Sequence, residues 1–153
     1  MVARRGFAPG ALIVRIRGTL LTSAAVWRVW TRDPRRAANC YRYDADRYLS
    51  PAGHVADFSN HSCRPNAIVR REGRALVLRA LRPIARGEEI THDYATLLGA
   101  DDVWTMRCRC GERTCRGVVR RFDRLPPRLL ARYLRAGAIP AHILATAAAR
   151  RVR

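Results

Sequence analysis

Asp57-Phe58-Ser59-Asn60-His61-Ser62-Cys63-Arg64-Pro65-Asn66 is the stretch on which the reading of this chain turns. Asn and Ser side chains compete with the backbone for hydrogen bonds, and Pro65 removes one backbone donor. The run therefore suits neither a helix interior nor a central strand, and it predicts a tight, buried or half-buried loop. A carboxamide, an imidazole, a hydroxyl and a thiol follow one another from Asn60 to Cys63, a density of polar chemistry found nowhere else in the chain.

Two further segments stand out. Gly87-Glu88-Glu89-Ile90-Thr91-His92-Asp93-Tyr94 follows downstream, and Cys108-Arg109-Cys110-Gly111-Glu112-Arg113-Thr114-Cys115-Arg116-Gly117 follows that. Cys108, Cys110 and Cys115, at C-x-C-x4-C spacing, can give three zinc ligands from one tight loop; a tetrahedral site needs a fourth from elsewhere. The chain has 5 cysteines, an odd count, with no signal peptide ahead of them. A metal site in a reducing compartment is therefore expected over a disulfide framework. Arg4, Arg5, Arg15 and Arg17 interrupt any apolar run before Thr22, and the apolar stretch 138–149 is too short to span a bilayer, so a cytoplasmic chain without a membrane partner is expected.

At 153 residues, 48% of them hydrophobic, the sequence supports one domain with a real core. Its formal charge of +18 and pI near 11.5 would ordinarily suggest nucleic acid or an anionic membrane. All 30 basic residues are arginine, however, a pattern that also fits compositional bias and a solvated arginine-rich surface. A nucleic-acid contact through those arginines stays open.

Pro9-Gly10 marks a turn, and Ile13 to Arg17 alternates apolar and basic as a half-buried strand does. Asp33-Pro34 and Ser50-Pro51-Ala52-Gly53 are turn signals in residues 22–56, where Tyr41, Tyr43 and Tyr48 have strand-like spacing. Ala67–Arg71 and Ala75–Arg79 flank Glu72-Gly73 as a hairpin. Beyond Gly117, Pro126-Pro127 opens a helix ending near Gly137, with Leu129, Leu130, Tyr133 and Leu134 on one face. Pro140 opens another, with Ile143, Leu144 and Ala147 turned to the core.

Taken in order, the three segments resemble the SET-domain family of protein-lysine methyltransferases with its cysteine-rich post-SET segment, over roughly residues 2–117. The resemblance implies a mostly β, SET-type β-clip fold of short strands with a pseudoknot, a zinc-bound post-SET loop and short C-terminal helices. It divides the chain into a SET domain at 1–103, a post-SET zinc segment at 104–118 and a helical extension at 119–153. It implies S-adenosylmethionine and zinc as cofactors, and a protein with an accessible lysine as the acceptor of a methyl group. With +18 on the chain, a lysine on an acidic or nucleic-acid-bound protein is expected over a strongly basic tail unless a local acidic groove overrides that field. The alternative is a non-catalytic SET-like zinc domain that binds a protein partner or nucleic acid.

By the same resemblance Cys63 is the fourth zinc ligand, and Tyr94 is the catalytic residue near the transferring methyl group and part of the donor-binding set. On residue type alone, Asp123 or His92 stays open as a replacement ligand. Asn60 and the backbone of His61 match the donor-binding pair, and His92 lies in the substrate channel where relatives carry Phe or Tyr. Asp57 stands where many relatives have Arg. Val118 stands where some place an aromatic against adenine, a role for which Phe122 is the candidate. The Gly-x-Gly strand that precedes the alanine matching Ala3 would fall before Met1, leaving open an upstream start, a differently built donor pocket or an incomplete one.

Overall fold

The computed structural model describes residues 1–151. Strand β1 (Leu12–Ile16) leads to β2 (Thr19–Thr22), helices α1 (Ser23–Arg32) and α2 (Pro34–Ala38), and strands β3 (Tyr41–Arg42) and β4 (Arg47–Ser50). A 3-10 turn, Val55–Phe58, precedes β5 (Asn60–His61). Then come β6 (Ala67–Glu72), β7 (Ala75–Ala80), β8 (Thr91–His92), a second 3-10 turn at Tyr94–Leu97, β9 (Met106–Arg107) and β10 (Val118–Val119). Helices α3 (Pro127–Arg135) and α4 (Ala141–Arg151) close the chain.

The β6–β7 hairpin turns at Gly73, whose φ of 57° a residue with a side chain rarely adopts. With β1 it forms a three-stranded sheet in the order β1-β7-β6, which separates two cores. Val69, Leu76 and Leu78 enter one core with Ile16, Tyr41, Leu49 and Ile84, while Ile68 enters the other with Tyr133, Phe122 and Ile143. Period-2 alternation accounts for the division, since Ile68 and Val69 must point to opposite faces. The C-terminal helices thus pack on the β core, as the apolar face of α3 requires. That face is narrower than the sequence pattern: Leu134 is 47% exposed, because it lies one position beyond fully buried Tyr133 and rotates out to solvent.

Residues 22–56 hold more helix than their turn signals suggest. Asp33-Pro34 caps α2: the Asp33 carboxylate accepts from the Arg36 amide at 3.0 Å, and Pro34 sits in the first turn. Thr22 caps α1 by accepting from the Ala25 amide at 3.2 Å. No residue of α1 is buried, so the helix lies along the surface with Trp27 59% exposed.

The first two sequence segments meet as a short parallel pair, with Asn60 beside Thr91 and His61 beside His92. Buried Asn66 holds them together. Its carboxamide oxygen accepts from the Thr91 amide at 2.9 Å, and its nitrogen donates to the Glu89 carbonyl at 2.7 Å and the Glu88 carboxylate at 2.9 Å. The Asn66 hydrogen bond, the Ala85 amide and the Arg82 guanidinium bring the Glu88 carboxyl down to about 2. Pro65-Asn66 therefore closes the loop by pinning it to the next segment.

A Cβ on Gly18 would lie 2.0 Å from the Ser50 carbonyl oxygen and 2.7 Å from its carbon, where β2 runs against β4. Gly18→Ala is expected to destabilise the chain by about 3 kcal/mol, because backbone rather than a side chain must give way. Equilibrium urea unfolding measures this, and a loss under about 0.5 kcal/mol, the scale of a neutral surface change, would contradict the packing.

Candidate functional site

Four thiols converge from two separated segments. The sulfur atoms of Cys63, Cys108, Cys110 and Cys115 all lie within 4.8 Å of one another, and Cys63 and Cys108 are 3.8 Å apart. A tetrahedral zinc–thiolate site with bonds of about 2.3 Å has edges of about 3.8 Å, so the donor set fits zinc in both type and spacing. Asp123 and His92 are engaged elsewhere, with Arg121 and Ser59 respectively. The backbone is ready for ligation: the Arg116 amide donates to Cys63 Sγ and the Gly117 amide to Cys115 Sγ, both at 3.4 Å. Burial pushes the Cys108 thiol up to about 12 and raises that of Cys63, so a bound cation is what would favour their thiolates.

Beside the thiols lies a buried carboxylate. The Asp93 side chain is 1% exposed and takes both Arg116 guanidinium nitrogens at 2.7 Å, the Tyr133 hydroxyl at 2.9 Å and the Ala95 amide at 3.1 Å. His61 adds its ring, with Nδ1 3.6 Å from Asp93 and accepting from the Tyr94 amide at 3.2 Å, while Nε2 lies 3.4 Å from Cys63 Sγ. One acidic group of the second segment thus touches the turn that follows Tyr94, the cysteine loop, α3 and the His61 ring of the first segment.

Tyr94 follows this carboxylate directly in the chain. Its hydroxyl donates to the Ser59 carbonyl at 2.8 Å, and its ring lies 4.8 Å from that of His92 and 5.3 Å from that of His61. Burial, with Asp57 and Glu89 nearby, pushes its phenol up to about 12, so it remains protonated near neutrality. His92, 2% exposed, meets Ser59 Oγ through Nδ1 at 3.0 Å and stacks on Tyr41 at 5.7 Å. Burial and the neighbouring His61 push its imidazole down to about 3, against the opposing charge of Asp93.

Tyr94 lines two clefts. One, of about 660 Å³, is walled by Trp27, Trp30, Tyr41, His92 and Trp104, with Asp57, Asp101 and Asp102 as its carboxylates and Arg42 as its guanidinium. The other, of about 550 Å³, is more polar and is lined by Asn60, His61, Ser62, Arg64, Glu89, Met106 and Cys108 among others.

The family model described as SET domain matches residues 1–95, more than half of the chain. The chain belongs to the SET-domain family. A Schizosaccharomyces pombe histone-lysine N-methyltransferase, H3 lysine-4 specific, is 43% identical over 85 residues, covering 52% of this chain and 9% of its own length. Histone-lysine N-methyltransferase 2B of Homo sapiens is 29% identical over 124 residues, covering 76% of this chain and 4% of its own. A Caenorhabditis elegans histone-lysine N-methyltransferase is 32% identical over 128 residues, 78% of this chain and 8% of its own. This SET domain therefore spans less than a tenth of the length of these relatives.

Within the SET-domain chain, Cys63, Cys108, Cys110 and Cys115 lie together, and Asn60, His61 and Tyr94 line one cleft while His92 and Tyr94 line the other. Phe122 lines neither of these two clefts; it is 4% exposed in the second core, with its amide bonded to the Leu98 carbonyl. Met106 holds a place on the polar cleft instead. Sequence reasoning passed over Arg116, Tyr133 and the Trp27–Trp30 pair. Arg116 left no local signal, because Asp93, its partner, lies 23 residues away, and helix periodicity alone made Tyr133 an ordinary core residue. Among the described residues no helix is long and apolar enough to cross a membrane.

Because His92 is held neutral, the unfolded chain binds a proton that the folded chain excludes between about pH 6.5 and 3. Folding stability from this group is complete above the unfolded pKa and declines as pH falls below it. Relative to His92→Phe, wild type should lose about 1.4 kcal/mol more per pH unit between pH 6 and 4. Urea unfolding of both proteins across that range tests this, and parallel curves would contradict it.

Proposed function

We propose that this chain is an S-adenosylmethionine-dependent protein-lysine N-methyltransferase with a structural zinc held by Cys63, Cys108, Cys110 and Cys115. The supporting observation is the position of Tyr94, on the wall shared by two clefts of different chemistry and one residue from the carboxylate that binds the cysteine loop. The relatives' names supply the reaction class, and residues 1–95 match the family in which it occurs.

The polar cleft suits the donor in size and lining. Asn60, tied by its carboxamide to Glu89 at 2.7 Å, and the His61 backbone are proposed to hold it. S-adenosylmethionine, when bound, supplies a methyl group on a sulfonium that takes up the electron pair of the breaking bond. The aromatic cleft is proposed to take the lysine. Its three carboxylates and one arginine give it a local sign opposite to the molecule's +18, so a cationic side chain from a basic segment is attracted there even though the whole-molecule field repels it. The relatives are named for histone lysines, and a lysine in a basic protein segment is the acceptor proposed here.

At the cleft floor Tyr41 and His92 are 5% and 2% exposed, and this dry aromatic lining disfavours the charged amine. The lysine nitrogen gives up its proton to water through the open cleft and attacks with its lone pair. The Tyr94 hydroxyl, fixed by Ser59, orients the groups at the shared wall. His92 presents a neutral imidazole to the acceptor side.

In proteome extract with radiolabelled donor, wild type is expected to label protein and Tyr94→Phe to lose about 100-fold or more of that rate. Calorimetric titration should show donor binding kept in Tyr94→Phe and lost in Asn60→Ala. Equal labelling by wild type and Tyr94→Phe would contradict the assignment.

A further inference from the structure

We infer that helices α3 and α4 belong to the catalytic unit, and that Tyr133 is a positioning residue acting on Tyr94 and the cysteine loop through Asp93. The inference rests on the methyltransferase reading and extends it to a part of the chain beyond residues 1–95, where the family model ends.

The helices reach the two clefts by different bonds. From α3, fully buried Tyr133 donates to Asp93 Oδ2 at 2.9 Å. That oxygen also takes Arg116 Nη1 at 2.7 Å, while Oδ1 takes Arg116 Nη2 and the amide of Ala95, the residue after Tyr94. From α4, Thr146 accepts from the Ala100 amide at 2.7 Å, and the His142 ring lies 3.3 Å from the Arg42 carbonyl. Arg42 in turn pairs with Asp101 and Asp102 on the acceptor cleft. Gly99 fits here because a Cβ would meet Thr146 Cγ2 at 2.9 Å and the Arg42 guanidinium at 2.6 Å.

Burial and the Asp93 charge raise the Tyr133 phenol well above its ordinary range, so it is always a donor. A phenylalanine there keeps the ring in the second core but withdraws the hydrogen bond. Asp93 Oδ2 then depends on Arg116 alone in a site closed to water, and the carboxylate can shift with the turn that carries Tyr94 and with the Cys115-Arg116 end of the metal loop. Thr146 has no such link to Asp93. Its loss should loosen only the 99–102 wall.

The test compares full chains carrying Tyr133→Phe or Thr146→Val with wild type, each assayed well below its melting temperature. Methyl transfer is measured with acceptor varied, and zinc release to a chromogenic chelator is measured separately. Tyr133→Phe is expected to lower kcat about tenfold, the scale of one buried hydrogen bond to a charged group, with acceptor KM unchanged and zinc release faster by a similar factor. Thr146→Val is expected to raise acceptor KM and leave zinc release as in wild type. The inference is overturned if Tyr133→Phe keeps wild-type kcat and zinc release, or if both variants merely melt earlier. A wild type that transfers no methyl group would instead contradict the methyltransferase reading, while zinc release, which needs no turnover, still tests the brace.

Discussion

The Asp93 carboxylate is the point at which the separate parts of this chain are tied together. A charge with 1% exposure is tolerable only when its oxygens are fully paired, and here two arginine nitrogens, a phenol and a backbone amide pair them. Each partner comes from a different requirement of the fold: Arg116 from the cysteine loop, Tyr133 from α3, Ala95 from the turn that presents Tyr94. Removing one partner of such a buried pair costs about 3–5 kcal/mol, so the geometry of the site and the folding of the C-terminal third are coupled energetically.

A second constraint is electrostatic. The molecule carries +18, yet its aromatic cleft holds three carboxylates against one arginine, and the four-thiol cluster lies beside the more polar cleft. Long-range field and local lining therefore oppose one another. At physiological salt the screening length is about 8 Å, so a group inside the cleft feels its walls more strongly than the distant arginine surface. Burial acts separately from that lining: it keeps both His92 and Tyr94 uncharged near pH 7, for His92 against the opposing charge of Asp93.

The convergence of the cysteines was legible in the sequence because the spacing of Cys108, Cys110 and Cys115 requires an outside ligand, and the resemblance named Cys63. The hairpin at Gly73 and both C-terminal helices were legible from turn chemistry and period. Helix α1 was not, since none of its residues is buried and Trp27 stands out in solvent, leaving no buried face for a periodicity to announce. Leu134 showed the limit of periodicity, which assigns a face but not its width. Phe122 was the candidate for the aromatic that some relatives place where this chain has Val118, and it lies in the second core with its amide bonded to Leu98. The Asp93 pairings were illegible for a different reason: partners 23 and 40 residues away leave no local trace.

The most direct measurement is a double-mutant cycle joining Asp93→Asn and Arg116→Gln, read on methyl transfer. If one buried ion pair holds Tyr94 and the cysteine loop in register, the double variant is no slower than the worse single variant, because the second change removes a contact already lost. Losses that multiply would show that the two residues act apart, and the account of the site as one tied unit would fail.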